Sequence, residues 1–160
     1  MENLRNQPLD ATDGALLAQL ERDARTTNAD LAAVAGIAAS TSHARVRALE
    51  ARGVVRGYHA SVDQAALGRG LQAIIGVTLR PGSRQESITA FAENVRRLPQ
   101  VIQTFFVGGS DDFLVHVAVE DTSALRAMVV DHISGQPSVA STRTSVIFAY
   151  QRSAVVAEFD

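Results

Sequence analysis

Apolar positions follow a helical period over residues 9–57 and a strand-and-helix alternation over residues 71–150. Leu9, Leu16, Leu17 and Leu20 fall on one helical face. Asp10 is placed to N-cap that helix, and Asp13 stands in its first turn beside the positive end of the dipole. Thr27-Asn28-Ala29-Asp30 is a capping-box-like T-x-x-D, although the box ordinarily ends in Glu or Gln. It predicts a second helix with Leu31, Val34 and Ala35 as a short apolar face and Gly36 as its stop. A third helix is predicted over residues 40–52, with Val46 and Leu49 inward and Gly53 just past its end. Three short helices, with a turn of a few residues around Gly36, are the arithmetic of a helix-turn-helix. Val54-Val55-Arg56-Gly57-Tyr58 reads as a short strand after it, a wing.

Residues 61–70 contain two Gly and little periodicity and read as a linker ending at Gly68 and Gly70. Beyond it, residues 71–80 alternate, with Ala73, Ile75, Val77 and Leu79 on one face. Ser83-Arg84-Gln85-Glu86 is an S-x-x-E capping box. Behind it Ile88, Phe91, Ala92, Val95 and Leu98 keep helical spacing, and Pro99 closes the helix. Residues 101–107 and 113–119 are β-rich runs joined by Gly108-Gly109-Ser110-Asp111-Asp112, a hairpin connection. Asp121 caps a second helix bearing Leu125, Met128, Val129 and Ile133, and residues 139–150 form a last strand. The predicted class is therefore α+β: a winged helix-turn-helix (1–60), a linker (61–70) and a ferredoxin-like βαββαβ domain (71–160). Two helices cover one face of such a sheet. The other face carries Ile74, Leu114, Ala118 and one parity of the last strand, with Phe148 and Tyr150 in that strand. It is too apolar to be solvated, so a second copy is expected to pack there.

Composition narrows the classes. The 160 residues carry a net charge of −2, and every basic residue is Arg. A near-neutral balance argues against coating nucleic acid through bulk charge. The charge is uneven, however: residues 40–57 hold Arg45, Arg47, Arg52 and Arg56 against the single acid Glu50. The absence of Cys excludes a disulfide framework, thiol catalysis and thiolate metal sites. No apolar run approaches a membrane span and Met1-Glu2-Asn3-Leu4-Arg5 lacks a signal-peptide core, so a cytoplasmic protein without membrane partners is expected.

Candidate chemistry is sparse. His43, His59, His116 and His132 lie far apart with no H-x-x-x-H pair, so no metal is expected. G-x-S-x-G, P-loop and full G-x-G-x-x-G motifs are missing, and neither a catalytic group nor a cofactor is expected. The hairpin at residues 108–112 has two readings. Its glycines allow backbone N–H groups to surround an anion while Asp111 or Asp112 offers a carboxylate, a pair of features complementary to a free amino acid. Equally, Gly and Asp are ordinary tight-turn residues.

Several stretches together resemble one family. They are Leu9-Asp10-x-x-Asp13, Arg25 to Ala32 (R-T-T-N-A-D-L-A), and Arg45-Val46-Arg47-Ala48-Leu49-Glu50-x-x-Gly53-Val54-Val55-x-Gly57-Tyr58-x-Ala60. Gly109-Ser110-Asp111-Asp112-Phe113-Leu114 and Thr142-Arg143-Thr144 complete the set. In this order and spacing they are similar to the leucine-responsive regulator / asparagine-operon regulator (feast/famine) family, over nearly the whole chain. The resemblance implies a transcriptional regulator, not an enzyme. It further implies binding of double-stranded operator DNA, dimers through the second domain, assembly up to octamers, and response to an effector, expected to be an amino acid.

On that footing the third helix presents Ser40, Thr41, His43 and Ala44 to DNA. Arg47 is the candidate for a guanine or phosphate contact, with Arg45, Arg52 and Arg56 serving phosphates. The resemblance also makes Gly108, Gly109, Ser110, Asp111 and Asp112 the effector site, with Leu125, Met128 and Thr142 lining the same pocket. Two departures stand out. Gly36-Ile37-Ala38 replaces a G-L-S stretch whose Ser caps the recognition helix, so Ser40 is expected to cap two residues later. Ser42 replaces a core Val and needs a hydrogen-bond partner, such as a carbonyl one turn back. Two alternatives remain: a haem-pathway (siroheme-type) decarboxylase of the same architecture, and a ligand-binding protein without DNA activity.

Overall fold

The computed structural model describes residues 8–82 and 85–150, in two compact units that divide between Ser61 and Val62. In the first unit, α1 (Ala11–Arg22) starts at Asp10, whose carboxylate accepts the Asp13 N–H at 2.8 Å. For α2 (Asn28–Ala35), the Thr27 hydroxyl accepts the Asp30 N–H at 3.2 Å and donates to the Asp30 carboxylate at 2.6 Å. The shorter Asp30 thus engages the Thr27 hydroxyl itself. Gly36 ends α2 at φ 65°, a left-handed conformation that costs a glycine little. Then α3 (Ala39–Ala51) follows directly. Leu16, Leu20 and Leu31 form the core, with Ala35, Ile37, Val46 and Val55 packed against it.

Three expectations for this unit need correction. Ser40 does not cap α3: the helix begins one residue earlier, at an Ala38 N-cap with no side-chain bond. Ser42 has no carbonyl partner, since its hydroxyl is buried and makes no hydrogen bond. Residues 54–58 form no strand. A lone strand gains no ladder bonds. Instead the Val54 and Val55 N–H groups turn back to the Leu49 carbonyl.

The second unit opens with a 3₁₀ turn at Ala65–Leu67, inside the stretch expected as a linker. Four strands follow: β1 (Leu71–Leu79), β2 (Val101–Phe106), β3 (Phe113–Val119) and β4 (Val139–Val146). They form one antiparallel sheet in the order β2-β3-β1-β4. With α4 (Gln85–Arg96) and α5 (Thr122–Met128), the element order is the ferredoxin-like βαββαβ. The capping box proposed at Ser83 lies outside the described residues. Asp121 does cap α5, accepting the Ala124 N–H at 2.8 Å. The helix then widens into a π-helical turn, Val129–Ser134, that keeps Ile133 fully buried.

Ala73, Ile75, Val77 and Leu79 of β1 all face the core, as their alternation predicts. They pack with Phe91 and Val95 of α4, with Phe113, Val115 and Val117 of β3, and with Leu125 and Met128 of α5. Strand β4 ends at Val146, earlier than predicted, so Phe148 and Tyr150 lie beyond it and are exposed. The opposite face of the sheet carries Ile74, Leu114 and Ala118, joined by Phe105, which pairs with Leu114 and is 47% exposed.

Candidate nucleic-acid interface and effector hairpin

Helix α3 turns Ser42, Val46 and Leu49 inward, positions i, i+4 and i+7 of one stripe. Ser40, Thr41, His43, Ala44 and Arg47 are exposed on its other sides. Its start is tied to α2 by the Asn28 amide, which donates to the Ala39 carbonyl at 2.8 Å. Arg56 is exposed in the extended segment after the helix, and Arg52 is half-buried at its C-cap. Glu50, the acid of this stretch, accepts the Tyr58 hydroxyl at 2.8 Å. Burial and that bond push the Tyr58 phenol above its ordinary value.

Arg45 turns toward α1. Its Nη1 lies 2.8 Å from Asp10 Oδ2 and 2.8 Å from Asp13 Oδ1, so it spans two carboxylates of α1. The Asp13 N–H and the Arg45 guanidinium together hold the Asp10 carboxyl below its ordinary value, against a smaller opposing effect of burial. The sequence reading gave Arg45 to phosphates. Its partners, on a helix 32 and 35 residues earlier, were not visible from local spacing.

In the second unit the hairpin at residues 108–112 joins β2 to β3, closed by the Val107 N–H to the Asp112 carbonyl at 2.9 Å. Gly109 sits at φ 141°, where only glycine is unstrained. Both carboxylates are engaged. Asp112 Oδ2 accepts the Leu79 N–H at 2.6 Å, while its own N–H donates to the Val77 carbonyl at 2.9 Å. It thereby pins the hairpin to β1 where the β1–β4 register shifts. The Asp111 carboxylate lies over Gly76, where a Cβ would stand 2.8 Å from its Oδ1, and receives Arg143 of β4 at 2.6 Å. Sequence reasoning missed Gly76 and Arg143. The signals were a lone Gly inside an otherwise β-rich run, which marks a close approach, and the Thr142-Arg143-Thr144 stretch of the family pattern.

Leu125 and Met128 of α5 are buried in the core of the unit. Thr142 is half-buried on β4, opposite Val77. Among the described residues, no group of three or more His, Asp or Glu side chains converges as a metal site. No described helix is long and apolar enough to cross a membrane.

Comparison with known proteins places both units. Residues 72–153 match the Lrp/AsnC ligand-binding domain, and residues 9–56 match a winged helix-turn-helix DNA-binding domain. The chain belongs to the Lrp/AsnC family. The HTH-type transcriptional regulator AldR of Mycolicibacterium smegmatis is 44% identical, covering 96% of this chain and 89% of the relative. The leucine-responsive regulatory protein of Rhizobium meliloti is 34% identical, covering 94% and 96%. Among solved structures, MtbAldR superposes with a TM-score of 0.78 at 36% identity, covering 93% of this chain and 97% of that one. A Neisseria meningitidis transcriptional regulator in complex with L-Met gives 0.84 at 28% identity, covering 94% and 97%. These relatives lend no support to the decarboxylase alternative. This Lrp/AsnC chain is a transcriptional regulator, with a DNA-binding unit at residues 9–56 and a ligand-binding unit at 72–153.

Proposed function

We propose that the chain is an amino-acid-responsive regulator that acts in the cytoplasm on operator DNA and has no enzymatic activity. The observation that carries this reading is the exposed row Ser40, Thr41, His43, Ala44 and Arg47 on α3, held by a two-helix frame. Such a row is suited to base edges in the major groove. Arg52 and Arg56 add phosphate contacts at the end of the helix. The apolar open face of the sheet, with Ile74, Leu114 and Phe105, supports a dimer formed by two copies of that face. A dimer sets two recognition helices against half-sites about 34 Å, one DNA turn, or a multiple of it apart.

The effector site of this reading is the hairpin at residues 108–112, reached at contacts between dimers. A relative of this fold holds L-Met. Backbone N–H groups of Gly108, Gly109 and Ser110 suit the carboxylate of an amino acid. Both carboxylates have partners, and Asp111 suits the ammonium better because its partner Arg143 is an exposed side chain that an ammonium can displace, whereas Asp112 serves the Leu79 backbone N–H. Bound effector shifts assembly, and so DNA affinity, only by its differential affinity for the two states.

A thermal-shift screen of the twenty amino acids tests this, since a ligand selective for the folded state raises its melting temperature. A hit is then titrated into a gel shift on the promoter of the chain's own gene. The expected result is a changed shift that Asp111→Asn abolishes while dimers persist. An unchanged response in that variant removes the hairpin from the mechanism, and no hit among the twenty removes amino acids as effectors. Absorbance on mixing with a tetrapyrrole separates the decarboxylase reading.

A further inference from the structure

Arg45 and Arg47 stand two residues apart on α3, so they point about 200° apart around the helix axis. One therefore faces α1 when the other faces away. Arg45 faces α1, where its Nη1 reaches Asp10 and Asp13 at 2.8 Å each. Asp13 is nearly buried, and Asp10 is at the same time the N-cap of α1. The two acids belong to the cap and first turn of α1, and the single Nη1 of Arg45 bonds both of them, which pins the tip of that side chain between two points of α1.

Besides this clamp, α3 is oriented by the buried side chains Ser42 and Leu49 and by Val46 packed on the core. Its apolar stripe is short, its buried Ser42 hydroxyl is unbonded, and its N-terminus lacks a side-chain cap. Asn28 tethers the first turn only. We infer that Arg45 is a positioning residue: clamped between Asp10 and Asp13, it sets the rotation of α3 that aims Arg47 and the exposed row at DNA, and it touches no phosphate itself. The inference rests on α3 being the DNA-reading helix.

The test starts from a duplex selected from a random pool by the wild-type full chain. Affinity for that duplex and for a scrambled one of equal length is measured across a salt series. The variants are Arg45→Met, Arg45→Lys, Asp13→Asn and the Arg45→Met/Asp13→Asn pair, each held well below its own melting temperature. Arg45→Met is expected to lose roughly tenfold on the selected duplex, the worth of one misaimed base contact. Its salt slope on the scrambled duplex stays at the wild-type value. Asp13→Asn reproduces the loss, and the double variant is no worse than the worse single, as members of one clamp require. Arg45→Lys, which keeps a cation between the carboxylates, restores much of the preference for the selected duplex. Should Arg45→Met fail to fold, Asp10→Asn keeps a good cap for α1 while removing one arm of the clamp, and an intermediate loss is expected.

A scrambled-duplex slope lowered by about 0.9 makes Arg45 a phosphate contact and overturns the inference. So do losses that multiply between Arg45→Met and Asp13→Asn, or an unchanged preference in every clamp variant. A wild-type chain that enriches no duplex overturns the reading of α3 itself, and the inference with it.

Discussion

Ser42 gives the sharpest stability prediction. Its side chain is fully buried in the stripe shared with Val46 and Leu49, and its Oγ has no hydrogen-bond partner. An unsatisfied buried hydroxyl costs about 1–3 kcal/mol. Ser42→Ala removes that cost and adds about 0.5 kcal/mol of helix propensity. Against this stands the space left by the oxygen: if ~15 Å³ stays empty, the loss is about 0.4 kcal/mol. The balance is a stabilisation of about 1–3 kcal/mol. For a unit of this size each kcal/mol shifts the midpoint by roughly 4–8 °C. The assay is unfolding of the full chain in urea and by heat, followed by far-UV circular dichroism, to which the three helices of the first unit contribute the larger helical share. The midpoint of that unit is expected to rise without a change in m-value. An equal or lower midpoint in Ser42→Ala refutes the reasoning, because it means that the hydroxyl is bonded in solution, to a carbonyl of the preceding turn.

Three further outcomes follow from the second unit. Asp112→Ala strands the Leu79 N–H and is expected to cost about 1–3 kcal/mol in urea unfolding. Asp112→Asn, which keeps an acceptor, costs less, so an equal loss in both refutes the bond. Gly76→Ala places a methyl 2.8 Å from Asp111 Oδ1. It is expected to eject that carboxylate and free Arg143, shifting their side-chain NMR signals, with unmoved signals the contrary result. Burial pushes the His116 imidazole below its ordinary value. The unfolded chain therefore takes up the proton first, and stability falls as pH drops below about 6.5, until the folded form also titrates. Replacing His116 with Gln, which does not titrate, is expected to flatten that part of the pH–stability curve, and an unflattened curve assigns the dependence elsewhere.

Local signals carried a large part of the fold. Asp10, Thr27, Asp121 and Gly36 each act within a few residues of themselves, through one side-chain oxygen or one left-handed backbone. Spacing alone therefore exposed them. The alternation of Ala73, Ile75, Val77 and Leu79 likewise showed which face of β1 is buried, since side chains on a strand repeat every two residues. Where the signal depended on a partner, it misled. Residues 54–58 have strand-like composition but no neighbouring strand. Ser40 is a fine cap residue, yet α3 starts before it.

The sequence by itself determined the starts of α1, α2 and α5, the order βαββαβ and the succession of a helix-turn-helix and an antiparallel sheet, because those rest on periodicity and on caps three residues long. Only the tertiary structure decided what the charged groups do. Arg45 meets Asp10 and Asp13 across more than thirty residues, Asp112 meets Leu79 at a separation of 33, and Asp111 meets Arg143 at 32. An Arg or Asp carries the same charge wherever it stands, so its role is fixed by whichever group the packing of helices and the register of strands bring within about 3 Å.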